Sequence, residues 1–209
     1  MKQYLIPILF AVMVITNGCQ SINHLDEQSL ATATVGPDGF TGTQRYQIMS
    51  WTIKSYENYS HDEYRCSAGK STIGWGFTKW TGITKVRDIH HADELFRDII
   101  TGIYEDVNKE FPNLSYLQKA ALVSLTYNTG PKIRKSELYK RLKADDVKGA
   151  IRELGRWIHV RERGKMVVSR GLVRRRKFET KLLSDAFSEK DYQTLKREVQ
   201  GIYSKQSKL

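Results

Sequence analysis

The stretch from Ile53 to Phe77, IKSYENYSHDEYRCSAGKSTIGWGF, limits the possible folds more than any other. Just before and into it, Tyr46, Met49, Ile53 and Tyr56 recur at helical spacing, which predicts an amphipathic helix from about Thr43 to Glu57. Arg45, Gln47 and Lys54 face away from that stripe. Tyr64 to Ala68 and Ser71 to Phe77 then read as two short strands rich in Tyr, Thr, Ile and Trp around a Gly69-Lys70 turn. Ile83 to Val86 could add a third strand after Gly82. A helix end facing a short hairpin encloses a cleft. Lined by the carboxylate of Glu57, the thiol of Cys66 and the hydroxyl of Thr72, such a cleft suits hydrolysis.

Downstream the pattern is helical. Leu95, Ile99, Ile103, Val107 and Phe111 share one face of a helix over 91–111, which Pro112 ends. Ser115 caps the run YLQKAALVSLTYN, and Gly130 stops it. That run is apolar on most sides, so it predicts a buried central helix. Asp145 or Asp146 caps a further helix, with Val147, Ile151, Leu154 and Trp157 inward. Ser169 starts the last core helix, with Leu172, Val173, Leu182 and Leu183. Ser188-x-x-Asp191 caps a terminal helix using Tyr192, Leu195, Val199 and Ile202. One small β element and about six helices predict an α+β domain in two lobes.

The N-terminus reads differently. Met1 to Gly18 has the form of an export signal, with Lys2, the apolar run Tyr4 to Thr16, and Gly18 before Cys19. The run falls short of the ~20 residues that a spanning helix needs. Gly18-Cys19-Gln20-Ser21 is similar to a lipoprotein processing site, so Cys19 is the expected lipidated N-terminus; ordinary cleavage and an uncleaved anchor are the alternatives. Gln20, rather than Asp, favours the outer membrane of a Gram-negative periplasm. Residues 19–42 are polar with several Gly and read as a flexible tether. The expected catalytic domain is 43–187, followed by a helical extension over 188–209. The expected state is a monomer with no cofactor and no metal.

The formal net charge of +11 points to a polyanionic partner: nucleic acid, anionic lipid or the acidic cell wall. Export argues against nucleic acid. Two cysteines do not make a disulfide framework, and with Cys19 processed, Cys66 is the free thiol of the domain.

Glycoside hydrolysis asks for two groups flanking the scissile bond, one to protonate the leaving oxygen and one to activate water or attack carbon. In that context the motifs become specific. The chain resembles the phage-type lysozymes of glycoside hydrolase family 24, with their E-x8-D-x5-T triad and T-I-G-x-G-H strand; here the strand is Thr72-Ile73-Gly74-Trp75-Gly76-Phe77. Leu117-Gln118-x-Ala120-Ala121-Leu122, Tyr127-Asn128-x-Gly130, Trp157 and Gly171-Leu172-x-x-Arg175-Arg176-x-x-Glu179-x-x-Leu182 follow in the family's order over about 43–186. The resemblance implies a muramidase that cuts peptidoglycan between N-acetylmuramic acid and N-acetylglucosamine, with inversion. Glu57 is then the general acid, and Thr72 orients the attacking water. Tyr127 and Ser136 resemble positions that touch the sugar, although core packing accounts equally well for Tyr127.

Three positions depart from the family pattern. Asn58 stands where Gly is usual, Phe77 where His is common, and Cys66 where the triad has Asp. Some endolysins of the family carry Cys there. A thiolate can take a proton from water or stabilise the anomeric charge, and neighbouring cations such as Arg65 and Lys70 favour that form. Asp62 or Glu63 is the substitute. Within the basic run Arg174 to Lys177, Arg175 and Arg176 are expected to pair with carboxylates or face solvent, while basic residues from Arg161 to Lys177 hold the anionic wall. The rival reading is a non-catalytic, peptidoglycan-binding lipoprotein that kept the fold.

Overall fold

The computed structural model describes residues 34–66, 69–162 and 164–206. The expected export signal, Cys19 and most of the expected tether lie outside them. Helix α1 (Gly42–Glu57) starts at a capping box, in which Thr41 and Gln44 satisfy each other's backbone N–H groups. A three-stranded antiparallel sheet follows in the order β1 (Ser60–Arg65), β2 (Ser71–Gly74), β3 (Phe77–Thr78). A 3-10 turn (Lys79–Thr81) leads to the long helix α2 (Ile89–Glu110), capped by Asp88. Helix α3 (Tyr116–Thr129) is opened by a second capping box, Ser115 with Gln118. Ten of its 14 residues are buried, and it packs on α1, α2 and α6, so it is the axis of the helical lobe.

Short helices α4 (Glu137–Lys143) and α5 (Val147–Leu154), a hairpin of β4 (His159–Glu162) and β5 (Lys165–Val168), and helices α6 (Arg170–Leu183) and α7 (Glu189–Gln206) complete the chain. The core runs without interruption from Ile48 and Ile53 through Phe96, Leu122 and Leu125 to Leu182 and Leu195. Among the described residues no helix is long and apolar enough to cross a membrane.

Several elements differ from the sequence expectation. The predicted strand Ser71 to Phe77 is two strands, because Gly74 at φ 60° breaks β2 and turns the chain through Trp75 and Gly76 into β3. A Cβ on Gly74 would lie 2.5 Å from the Phe77 ring, so only glycine lets that ring fold back beneath the turn. The third strand is therefore β3; residues 83–86 are irregular, and Val86 is buried against the sheet. Strand β1 begins at Ser60, so Asp62 and Glu63 lie within it rather than before it. Trp157 does not point inward: it is 37% exposed in the link after α5. Helix α4 and the β4–β5 hairpin had not been expected; the hairpin has only Val160 and Val167 on its half-buried side, too few to make a period.

Lys54 is also buried, not outward. Its Nζ bonds Asp93 at 2.6 Å and the Tyr203 hydroxyl at 2.8 Å, amid the rings of Trp75, Phe96 and Tyr203. Burial lowers its pKa, against the raising effect of Asp93. Trp75 Nε1 donates to the same Asp93 at 2.6 Å. Helix α7 thereby reaches, through Tyr203, the turn between β2 and β3. At the other end of the domain, Phe40 is 3% exposed and packs against Phe187 and Tyr192, so the last residues of the polar N-terminal stretch sit on the same core.

Candidate active site

Glu57 is the last residue of α1. The helix ends where Asn58 adopts φ 55° with ψ 169°, a positive-φ extended conformation that favours glycine. That backbone need gives a physical reason for the usual Gly after the acid. The Glu57 side chain is 19% exposed and is fixed from the far end of the sequence: Arg175 Nη1 of α6 donates to its Oε1 at 2.5 Å.

Arg175 is itself buried. Its Nε donates to Glu179 Oε1 at 3.2 Å, and its Nη2 to the Ser124 carbonyl at 3.0 Å and hydroxyl at 3.3 Å. Arg176 Nη1 bonds Glu179 Oε2 at 2.6 Å, and its Nη2 bonds Asn128 Oδ1. Two carboxylates thus face two guanidiniums, and the buried charge closes to zero. Burial works to lower the Arg175 pKa, but the charges of Glu57 and Glu179 outweigh it and the net shift is upward.

The second oxygen of Glu57, Oε2, lies over Gly76. A Cβ on that glycine would come within 2.4 Å of it, and Gly76 holds φ 80°. The glycine therefore serves both the turn and the close approach of the acid. Gly76→Ala is expected to push the carboxylate off its position and lower any hydrolytic rate by about tenfold or more, since small misplacements are costly to catalysis. Steady-state kinetics on purified wall checks it; an unchanged rate would show that the acid tolerates displacement.

Cys66 and Thr72 meet at one backbone group. The Cys66 N–H donates to the Lys70 carbonyl at 3.0 Å, and the Thr72 hydroxyl donates to the same oxygen at 3.1 Å. Cys66 is half-buried at the end of the β1 arm, while Thr72 is 3% exposed and pairs with Tyr64 and Thr78 across the sheet. Tyr64, which the sequence did not single out, feels both ends of the site. Its pKa is raised by burial first, then by the charges of Glu57 and Cys66. Arg65 Nη1 is bonded to the Gly69 carbonyl at 3.2 Å. Among the described residues no group of acidic, His or Cys side chains could hold a metal ion.

The phage lysozyme family model matches residues 54–179, more than half of the chain. An endolysin from Acyrthosiphon pisum secondary endosymbiont phage 1 is 32% identical over 136 residues, which are 64% of this chain and 93% of that protein. The chain belongs to the phage lysozyme family. Among solved structures it is similar to the muramidase domain of SpmX from Asticaccaulis excentricus, at 27% identity and a TM-score of 0.56, covering 65% of this chain and 93% of that one. It is similar also to the endolysin from Escherichia coli O157:H7 phage FAHEc1, at 28% identity and a TM-score of 0.57, covering 67% and 92%. It is a lysozyme-type glycoside hydrolase with the α+β, lysozyme-like fold.

In this lysozyme the remaining sequence candidates separate. Tyr127 is 3% exposed; its hydroxyl donates to the Trp75 carbonyl at 2.6 Å and its ring packs on Phe96 and Trp80. It braces the turn that carries Gly76. Ser136 caps α4, accepting from the Tyr139 N–H. Glu63 accepts a hydrogen bond from the Ser71 hydroxyl across the sheet, whereas Asp62 is exposed on the same strand. The sequence leaves Arg175 either pairing with a carboxylate or facing solvent; in the fold it is buried and pairs with Glu179 four residues on and with Glu57, 118 residues away.

Proposed function

We propose that this lysozyme hydrolyses the β-1,4 bond between N-acetylmuramic acid and N-acetylglucosamine in peptidoglycan, with Glu57 as general acid. The observation that carries the reading is the Glu57 carboxyl, held between Arg175 and Gly76 at the helix end facing the hairpin. One oxygen is fixed by a guanidinium while the other lies at the turn, so the proton to be given to the leaving oxygen belongs on Oε2. Once that proton has gone, the carboxylate formed is already paired with Arg175, and little reorganisation is needed.

The Cys66 thiolate then takes a proton from the attacking water as it bonds the anomeric carbon. Thr72, whose hydroxyl donates to the Lys70 carbonyl, can only accept, and so it orients that water by accepting a hydrogen bond from the O–H that the water keeps. The test is to incubate the full-length chain with purified walls, follow turbidity and new reducing ends, and identify the fragments by mass spectrometry. Muramic acid at the new reducing ends is the expected product. Walls pulled down with no reducing ends would favour the rival, a non-catalytic wall-binding protein.

The role of Cys66 has its own test. Iodoacetamide is expected to abolish wall hydrolysis by the parent, because the state that works is the state that is alkylated. Cys66→Asp should be active and resistant. Full rate in the alkylated parent would make Cys66 a bystander and pass the base role to Asp62, the carboxylate of β1 not tied to Ser71.

A further inference from the structure

We infer that the cavity beside Trp80 is a sugar-binding subsite that takes one N-acetylated pyranose ring of the glycan strand, stacked on Trp80 and hydrogen-bonded by Asp98 and Arg134. The inference rests on the peptidoglycan reading above and extends the substrate contact beyond Glu57.

Both lobes build the cavity. Trp80 comes from the 3-10 turn that leaves the sheet, Asp98 and Gly102 from α2, and Pro131 and Arg134 from the link after α3. A cleft that receives a chain-like substrate must be walled in this way. Its volume is about 320 Å³, within the range of about 300–1,000 Å³ of small-molecule sites. The Trp80 ring is 40% exposed yet not loose. It meets the Tyr127 ring edge to face with centroids 5.9 Å apart, and Thr81 pins the turn by donating to the Thr78 carbonyl at 2.8 Å. A rigid, half-open indole offers the flat apolar face that the C–H side of a sugar ring covers, at low entropic cost.

The polar groups suit hydroxyls and an acetamido group. Asp98 is exposed and has no ion pair among the described residues, so its carboxylate can accept from sugar hydroxyls. Arg134 is held by Glu110 at 2.8 Å through Nε and by Asp106 at 3.0 Å through Nη1, which leaves Nη2 to donate. Two aspartates on this wall, in a chain of net charge +11, disfavour an anionic occupant. At Gly102 a side chain would meet nothing within 4 Å, so the helix leaves room there. Tyr127 joins the Trp80 turn to the turn that carries Gly76, through its ring contact with Trp80 and its hydroxyl on the Trp75 carbonyl.

The test uses the full-length chain carrying Glu57→Gln, so that the probe is not consumed. The probe is peptide-free glycan strand, the wall polymer stripped of its stems by an amidase. Trp80→Ala should weaken binding about tenfold, the scale of one lost aromatic contact. Gly102→Leu fills the cavity without removing any contact, and on an exposed helix position it favours the helix, so it should weaken binding similarly with no loss of thermal stability. Trp80→Phe should keep most of the affinity. In the parent background Trp80→Ala should raise KM for wall and leave kcat within about twofold.

Unchanged binding in both Trp80→Ala and Gly102→Leu overturns the subsite, as does a parent that binds no stripped strand. A loss seen only with stem-bearing fragments overturns it too, since the occupant is then the peptide. If the parent releases no reducing ends yet binds strands in a Trp80-dependent way, the lytic reading fails and the subsite stands.

Discussion

Replacing Glu57 by Gln is expected to lower the rate of wall hydrolysis by about a hundredfold or more while leaving the fold nearly unchanged. The amide matches the carboxyl in shape, so the space over Gly76 stays filled. Its carbonyl oxygen can still accept from Arg175 Nη1, which keeps the guanidinium satisfied. What the amide cannot do is give up a proton to the leaving oxygen. The expected signature is therefore a fall in kcat with little change in wall binding and a melting temperature within a few degrees of the parent. Near-normal turnover would remove Glu57 from the general-acid role. A collapse in melting temperature of the size expected for an orphaned buried charge would show that Glu57 is needed first for folding.

The sequence carried most of the frame of this site. The helix ending at Glu57 is legible by period, and the central helix capped by Ser115 and the last core helix starting after Ser169 by apolar run and cap, signals that are local in the chain. The failures are non-local. Whether Ser71 to Phe77 runs straight or folds back depends on the Phe77 ring reaching under Gly74, which strand propensity does not encode. Lys54 reads as a surface lysine until Asp93 and Tyr203, 39 and 149 residues away, enclose it. Trp157 reads as inward by its helical spacing after Leu154, yet α5 ends at Leu154 and Trp157 lies exposed in the link beyond it. Asn58 and Phe77 looked like departures from a pattern. In the fold the first holds the positive-φ backbone that ends the helix at Glu57, and the second is 1% exposed as a core side chain.

The largest effect on stability is expected at Glu179, not in the apolar core. Its carboxylate is fully buried and is the shared partner of Arg175 Nε, Arg176 Nη1 and the Ser124 hydroxyl. It is the fully buried counter-charge of two buried guanidiniums, whereas Glu57, 19% exposed, stands where water can make up for the loss of its charge. Glu179→Ala leaves one of those cations uncompensated in a low-dielectric interior, where removing one partner of a buried pair costs about 3–5 kcal/mol. That is a large share of the roughly 5–15 kcal/mol by which such domains are stable. Thermal unfolding should shift down by on the order of 10 °C. Lost van der Waals packing would also destabilise, so a second variant separates the causes. Arg176→Met combined with Glu179→Leu removes one charge of each sign, keeps the volume and leaves Arg175 balanced by Glu57. If the orphaned charge is the cause, the double variant should be more stable than Glu179→Ala alone. Because Arg175 still grips Glu57, it should also keep more of the wall-hydrolysing activity. A double variant as unstable as the sum of its single changes would mean that the network contributes through shape and hydrogen bonding, and that charge balance around Glu57 is incidental.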